Sequence, residues 1–383
     1  MKEILFVSSL YPSQQAPQYC IFIEQQAHFL KEMGLEVSVL IPTPVNKKNK
    51  RSPIESFEQN GINCYRLNYY SSKLDKVLGL IHRKDKKRII DFLDRKRFDI
   101  ISTHLIDLPI LKVLSKRKRD YKLSVHFHGL NVWENYYPIR PNIERFQSYI
   151  LRGLVQHSDI IIGVSKRVKE IVEKKITTVP ISVVYNGVNP QFFHSIDERI
   201  SNDSTILCVG NLTKIKGQKY LIEAFAKFLN KNKLSRQVKL SIVGEGPEKE
   251  NLIQLVKELK IEDKVVFHGN ISYEEVAKMM QRSLAFVLPS YFEALGCVYL
   301  EAMLSGVVTV ACDNSGIAEI IENNRTGFLV KPQDSDEIVN VLEKIFFEPD
   351  QTKLIAESGK EVVSKMYTWE DSAKKLKEIY NSL

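Results

Sequence analysis

Residues 285–311 read AFVLPSYFEALGCVYLEAMLSGVVTVA, and this run decides the fold class. Ala285–Leu288 is a short apolar strand closed by Pro289, and Val307–Ala311 is a second one. Between them stand a loop, Pro289-Ser290-Tyr291-Phe292-Glu293-Ala294-Leu295-Gly296, and an apolar helix that stops near Ser305-Gly306. Strand, helix and strand at this spacing predict a crossover unit of a parallel sheet. Glu293 falls where the helix begins, and Glu301 lies about two turns further on. The loop leaves the backbone N–H groups of Ala294, Leu295 and Gly296 at a helix N-terminus, where an anion is favoured. Carboxylates beside such a place suit sugar and ribose hydroxyls. The plainer alternative makes Glu293 a helix-dipole charge and Glu301 a solvent-facing residue.

The same alternation of short apolar runs with amphipathic stretches extends in both directions. Ile206–Val209, Lys239–Val243 and Val265–Phe267 are expected strands on the N-terminal side of this unit. Before Asn186-Gly187-Val188-Asn189-Pro190, a cluster of turn formers, an earlier series runs Ile4–Val7, Val37–Ile41, Ile100–Ser102, Leu123–Phe127, Ile160–Val164 and Ser182–Tyr185. A helix from about Phe22 to Met33, with Phe22, Gln26, Phe29 and Met33 along one side, ends at Gly34. The stretch Ser195–Ser204 reads as a linker, and Tyr367–Tyr380 as a lysine-rich amphipathic helix. The expectation is an α/β chain of two Rossmann-like halves, 1–190 and 203–365, followed by a helical segment, 366–383. Ligands of open α/β sheets bind at the carboxyl ends of the strands, so a cleft between the halves is the expected site.

Two further motifs carry candidate chemistry. Val209-Gly210-Asn211-Leu212-Thr213-Lys214-Ile215-Lys216-Gly217 is a strand, a polar turn and a helix start, where Lys216 and backbone amides can neutralise a diphosphate. Ser124-Val125-His126-Phe127-His128-Gly129-Leu130-Asn131 is a strand ending in a glycine turn, with His128 at its carboxyl end. His126 and His128 share a face, yet no third ligand stands out at a metal-binding spacing, so no metal is expected. Gly244-Glu245-Gly246-Pro247 and Asp313-Asn314-Ser315-Gly316 read as tight turns closing strands. No P-loop or dinucleotide fingerprint follows a first strand, which argues against an ATPase or a standard dehydrogenase.

Composition narrows the class. With 383 residues, 44% hydrophobic and 26% charged, the chain can bury two cores. No run reaches the roughly 20 apolar residues that span a bilayer, and the N-terminus reads as a first strand, not a signal peptide. Five scattered cysteines without a C-x-x-C pair point to reduced thiols in a cytoplasmic protein. The net charge of +9 is uneven: residues 1–190 hold 31 Lys and Arg against 18 Asp and Glu. Runs at 83–88, 95–97 and 116–119 supply much of this excess and suit peripheral contact with an anionic membrane at its inner face. No aromatic-interleaved basic motif accompanies them, so nucleic acid is not an expected partner.

Taken in order, these segments resemble glycosyltransferase family 4 nearly from end to end. The likeness includes Ile21-Phe22-Ile23-Glu24-Gln25-Gln26, His128-Gly129, Tyr185-Asn186-Gly187-Val188-Asn189, Val209–Leu212 with Lys216-Gly217, and Val243–Pro247. It continues through Phe267-His268-Gly269, the Glu293/Glu301 segment, Gly316–Ile321 and Tyr367-Thr368-Trp369-Glu370. The resemblance implies a GT-B fold whose last helix returns to the first domain. It also implies a retaining glycosyltransferase that uses a nucleotide-sugar donor, here a UDP-sugar, and a glycan or lipid-linked acceptor in surface-polysaccharide assembly, without a metal cofactor. By the same resemblance Lys216 holds the donor diphosphate and Glu301 the ribose hydroxyls. Glu293, with the amides of Ala294, Leu295 and Gly296, grips the donor sugar and phosphate. His128 reaches the sugar ring or reacting centre, and Ile271 lines the base pocket. Two positions depart from the family pattern: Asn211 stands where many relatives carry Arg, with Lys214 as a stand-in cation, and Cys20 stands where Gly is usual. A UDP-sugar 2-epimerase of similar architecture and a catalytically silent nucleotide-sugar-binding partner are the competing expectations. Donor turnover without acceptor would mark the first, and the missing Arg is the feature that favours the second.

Overall fold

The computed structural model of the chain describes residues 2–13, 20–46, 52–115, 119–129, 141–194, 204–232 and 238–383, with 141–145 described by backbone alone. Part of the first polar loop, Lys116–Lys118, Leu130-Asn131 and the expected linker up to residue 203 lie outside these residues. Two compact units emerge, Met1–Asn186 together with Trp369–Leu383, and Gly187–Thr368.

In the first unit the order is β1 (Glu3–Ser8), α1 (Ile21–Glu32), β2 (Glu36–Val45), β3 (Glu55–Gln59), β4 (Ile62–Tyr70), α2 (Lys73–Leu78) and α3 (Arg83–Lys96). Then come β5 (Ile100–His104), α4 (Leu108–Ser115), β6 (Lys122–Phe127), α5 (Pro141–Val155), β7 (Ile160–Gly163), α6 (Lys166–Lys175) and β8 (Ile181–Val183). The sheet runs β3-β4-β2-β1-β5-β6-β7-β8, parallel except for β3. Ile4, Leu5 and Phe6 are all fully buried, as expected of a strand with both faces covered. The β3–β4 hairpin falls between the expected strands Val37–Ile41 and Ile100–Ser102, where no strand was expected. Its turn is Asn60-Gly61, and both residues have positive φ, 47° and 75°, as a primed two-residue turn requires.

Helix α1 ends as expected at Gly34, φ 82°, and of the four residues expected along one side only Gln26 is buried. Ile23, Gln26, Ala27 and Leu30 face inward, while Phe22, Phe29 and Met33 are only half-buried. Two of the basic runs are also partly structural. Arg88 pairs with the buried Asp85 at 3.1 Å and donates to Asn68 O at 2.8 Å, and Arg119 pairs with Asp159 at 2.8 Å. Arg83, Lys84, Lys86 and Lys87 are exposed.

In the second unit the order is β9 (Ser204–Val209), α7 (Gln218–Asn232), β10 (Val238–Val243), α8 (Lys249–Glu258), β11 (Val265–Gly269), α9 (Tyr273–Arg282), β12 (Ala285–Val287) and α10 (Cys297–Leu304). It closes with β13 (Val308–Cys312), β14 (Phe328–Val330), α11 (Ser335–Phe347) and α12 (Pro349–Met366). The six strands are parallel in the order β11-β10-β9-β12-β13-β14. The expected crossover at 285–311 is β12-α10-β13, whose strands pair in register Ala285↔Val308. The chain then re-enters the first unit as α13 (Trp369–Ser382), which packs on α1 and buries Ala373, Leu376 and Tyr380 completely. Lys2 Nζ donates to Tyr380 O at 2.6 Å and Lys377 Nζ to Met33 O at 2.7 Å, tying the last helix to both ends of the β1-α1 unit. Among the described residues no helix is long and apolar enough to cross a membrane.

Candidate active-site residues

In the second unit the loops at the carboxyl ends of β9, β12 and β13 converge. After β9 the chain makes a single 3₁₀ turn, Lys214–Lys216, closed by Gly217 at φ 71°. A Cβ on Gly217 would lie 2.2 Å from Pro289 O, so only glycine lets this turn seat directly on the loop after β12. Tyr291 N donates to Ile215 O at 3.0 Å across the same junction. These contacts bring Lys216 to Glu293, and Lys216 Nζ donates to Glu293 Oε2, with the side chains 19% and 16% exposed.

The loop carrying Glu293 is braced from β13. Gly316 N donates to Glu293 O at 2.9 Å, and Asn314 Nδ2 to Tyr291 O at 3.1 Å. The loop 313–316, expected to be a simple turn, is therefore the back wall of the glutamate loop. The loop 244–247 likewise supports 210–212, with Leu212 N donating to Glu245 O at 2.9 Å. Ala294 and Gly296 are half-buried, and Leu295 is buried. Gly296 caps α10 at φ 81°, and no side chain caps this end of the helix. The positive end of the α10 dipole thus opens beside the Lys216–Glu293 pair.

Glu301 is buried, 8% exposed, which overturns its solvent-facing alternative. Its Oε1 accepts a hydrogen bond from Tyr273 Oη at 2.9 Å, and Tyr273 stands edge-on to Phe193 at 4.8 Å. Burial pushes the Glu301 carboxyl up to about 7, against which the tyrosine hydrogen bond works. Ile271 is half-buried just ahead of α9, two residues before Tyr273, the first residue of that helix. Asn211 has an exposed side chain, and its main-chain oxygen accepts from Gln218 Nε2 at 3.0 Å. Lys214 is exposed and lines a concavity with Gln218, Tyr220, Glu248 and Leu252, a lining that does not include Lys216. The structure thus brings Lys216 and Glu293 together.

In the first unit His128 follows the end of β6, and its neighbours were only half legible. His104, at the end of the adjacent strand β5, supplies the third imidazole that sequence spacing failed to reveal. One nitrogen from each of His104, His126 and His128 lies within 4.8 Å of the others. Parallel pairing of β5 with β6, Ser102 opposite Ser124, is what sets the rings side by side. His104 Nδ1 and His128 Nε2 are 2.9 Å apart. The rings of His104 and His126 lie 4.3 Å apart, with Phe6 packed 4.3 Å from His104 and Phe22 4.6 Å from His128. Burial lowers all three: His128 to about 3, and His104 and His126 well below the usual imidazole range, with the neighbouring rings adding to the effect for the latter two. The imidazoles are neutral at physiological pH. Tyr273 and His104 were missed because nothing local in the sequence links residues 28 or 24 positions from their partners.

Comparison with known proteins bears on the family and the fold. The family model described as glycosyl transferases group 1 matches residues 191–362, and that described as glycosyltransferase family 4 matches residues 21–192. N-acetyl-alpha-D-glucosaminyl L-malate synthase of Bacillus anthracis is 26% identical over 363 residues, covering 92% of this chain and 90% of that protein. A Bacillus subtilis protein, provisionally named as a teichuronic acid biosynthesis glycosyltransferase, is 23% identical, covering 100% of this chain and 98% of its own. Among solved structures, Anabaena HepE in complex with UDP and glucose superposes with a TM-score of 0.77 at 18% identity, covering both chains completely.

Proposed function

The chain belongs to glycosyltransferase family 4 and is a glycosyltransferase of the two-domain GT-B type; from that premise we propose that it moves a hexose or N-acetylhexosamine from a UDP-sugar to a glycan or lipid-linked acceptor, with retention of configuration, in surface-polysaccharide assembly. The observation that carries this reading is the Lys216–Glu293 pair, set beside the uncapped start of α10 and followed on that helix by the buried Glu301. A diphosphate needs a cation and backbone donors, a ribose needs a carboxylate acceptor, and this unit offers all three. UDP in the HepE complex and the teichuronic acid name of the Bacillus subtilis relative support the donor and the setting.

In this reaction the bond from the anomeric carbon to the diphosphate oxygen breaks, and the acceptor oxygen bonds to that carbon from the same face. The acceptor proton passes to the departing diphosphate. Lys216 and the amides of Ala294, Leu295 and Gly296 meet the charge that develops on the leaving group, so the reading calls for no metal cofactor. Glu293 orients the donor sugar, Ile271 lines the base, and Asn211 stands beside the phosphates as an uncharged donor. His128 hydrogen-bonds the transferred sugar.

Calorimetric titration with UDP, GDP and ADP tests the reading, and saturable binding of UDP alone is the expected result. Ribose hydroxyls donating to Glu301 favour its ionised form, whereas burial favours the protonated one. Below about pH 7 binding therefore expels a proton, and affinity rises with pH up to about that value. Repeating the titration in buffers of different ionisation enthalpy gives the proton count. Glu301→Gln retains only the contribution of the nucleotide's own phosphate. Equal proton release by both proteins would remove Glu301 from the ribose site, and no binding of any of the three nucleotides would sink the transferase reading.

The acceptor side of the proposal includes contact with an anionic membrane. Lys84, Lys86 and Lys87 are exposed on α3, and the same unit exposes Leu74 (63%) and Tyr149 (74%) on α2 and α5, which pack together. Neutralising the three lysines removes about 3 kcal/mol of attraction, roughly 100-fold in binding to vesicles containing anionic lipid. Unchanged sedimentation with such vesicles would remove the membrane from the proposal.

A further inference from the structure

Beneath His128 lies a chain of hydrogen bonds that the proposed reaction does not by itself explain. His126 Nε2 and Tyr380 Oη are 3.2 Å apart, Tyr380 Oη donates to Ser102 Oγ at 2.9 Å, and Ser102 Oγ lies 3.1 Å from His104 Nε2. The final link joins His104 Nδ1 to His128 Nε2 at 2.9 Å. His126, Tyr380, Ser102 and His104 are all buried, so water does not compete for these links. At the far end His128 Nδ1 is buried and has no hydrogen-bond partner among the described residues.

Each group has one hydrogen to give, so the direction of the Tyr380–Ser102 link sets that of all the others, and the reverse direction would leave His128 protonated on Nε2. Tyr380 donates to Ser102, so its oxygen accepts from His126 Nε2–H. Ser102, having accepted from Tyr380, gives its own hydrogen to His104 Nε2. His104 is neutral and then carries its proton on Nδ1, which donates to His128 Nε2. His128, neutral as well, is left with its proton on Nδ1. We propose that the chain from Tyr380 through Ser102 and His104 fixes His128 as the Nδ1–H tautomer, so that His128 acts as a hydrogen-bond donor to an oxygen of the bound sugar. Tyr380, Ser102 and His104 are positioning residues in this scheme. Only the sugar as recipient rests on the transferase reading, because the tautomer is a property of the protein alone.

The alternative use of three converging imidazoles, as ligands of a divalent cation, fits less well. Both nitrogens of His104 and the Nε2 atoms of His126 and His128 are already engaged within the chain. An ion would have to break it.

Nitrogen-15 spectroscopy of the full-length protein with labelled histidine reads the tautomer directly, with His128→Asn providing the assignment. The expected wild-type spectrum shows His128 protonated on Nδ1 and His104 on Nδ1. In Tyr380→Phe the donor that orients Ser102 is gone, and the His128 signal moves toward a mixture of both tautomers. Ser102→Ala gives the same shift and guards against a folding defect in the tyrosine variant. In transfer assays both variants lose roughly 10-fold in kcat with the donor KM unchanged, as expected when a donor aimed at the sugar is mis-set. A wild-type His128 protonated on Nε2, or an unaltered His128 tautomer in both variants, overturns the proposal. Failure of nucleotide binding alongside the expected spectra overturns the transferase reading and leaves the hydrogen-bond chain intact.

Discussion

Lys216→Ala binds UDP roughly 100-fold more weakly than the wild type, about 2.7 kcal/mol, by calorimetry at neutral pH. The loss has two sources. One is the charge-assisted contact that Lys216 makes with the diphosphate. The other is Glu293, whose carboxylate is left without its cation while only 16% exposed and next to the incoming phosphates. The double variant Lys216→Ala/Glu293→Gln separates these contributions, because removing the orphaned negative charge recovers part of the lost affinity. A double variant that binds no better than Lys216→Ala would show that Glu293 does not face the phosphates. Transfer activity does not recover with binding, since the charge on the leaving group then lacks its main counter-charge.

A chain that stops at Thr368 has its N-terminal unit unfolded and its second unit intact. Removing α13 uncovers the side of α1 and the sheet against which Ala373, Leu376 and Tyr380 are buried. At about 1.5–3 kcal/mol for each large side chain, Leu376 and Tyr380 alone account for about 3–6 kcal/mol, a large share of the whole stability of a domain. The second unit is continuous from Gly187 to Thr368 and keeps every residue assigned to the nucleotide. The truncated protein is therefore expected to bind UDP with near wild-type affinity while showing no transfer. Hydrogen exchange read by fragment would show residues 3–183 exchanging freely and residues 204–366 still protected. Protection of β1 and β5 in the truncated chain would refute this assignment of stability.

Much of this was legible in the sequence, for identifiable reasons. Strands buried on both faces announce themselves as apolar runs, which is why 285–311 and most of the other parallel strands could be read directly. The Asn60-Gly61 hairpin was missed although its turn residues were in plain view, because β3 has mostly exposed residues and carries little apolar signal. The inward face of α1 was only partly read, for a related reason. Its bulkiest residues, Phe22, Phe29 and Met33, are half-buried, while Ile23, Ala27 and Leu30 are fully buried. In the site, Lys216, Glu293 and Glu301 could be nominated because each lies at a strand end or on the helix that follows. Partners that depend on register or on chain return could not be read in this way. His104 meets His128 only through β5–β6 pairing, and Tyr380 meets Ser102 across 278 residues.

The return of α13 also bears on how the protein is made. Residues 1–186 leave the ribosome before the whole of Gly187–Thr368, and only then follows the helix that completes their core. At roughly 5–20 residues per second, translation of the intervening unit takes about 10–40 s. During that interval the nascent first half must hold the groove beside α1 open without collapsing on itself or on a neighbouring chain. Folding of the two halves is thereby ordered in time: the second can finish alone, and the first waits for α13. Any premature termination or C-terminal trimming would leave a product with an exposed apolar groove, recognisable to the cell's holding chaperones.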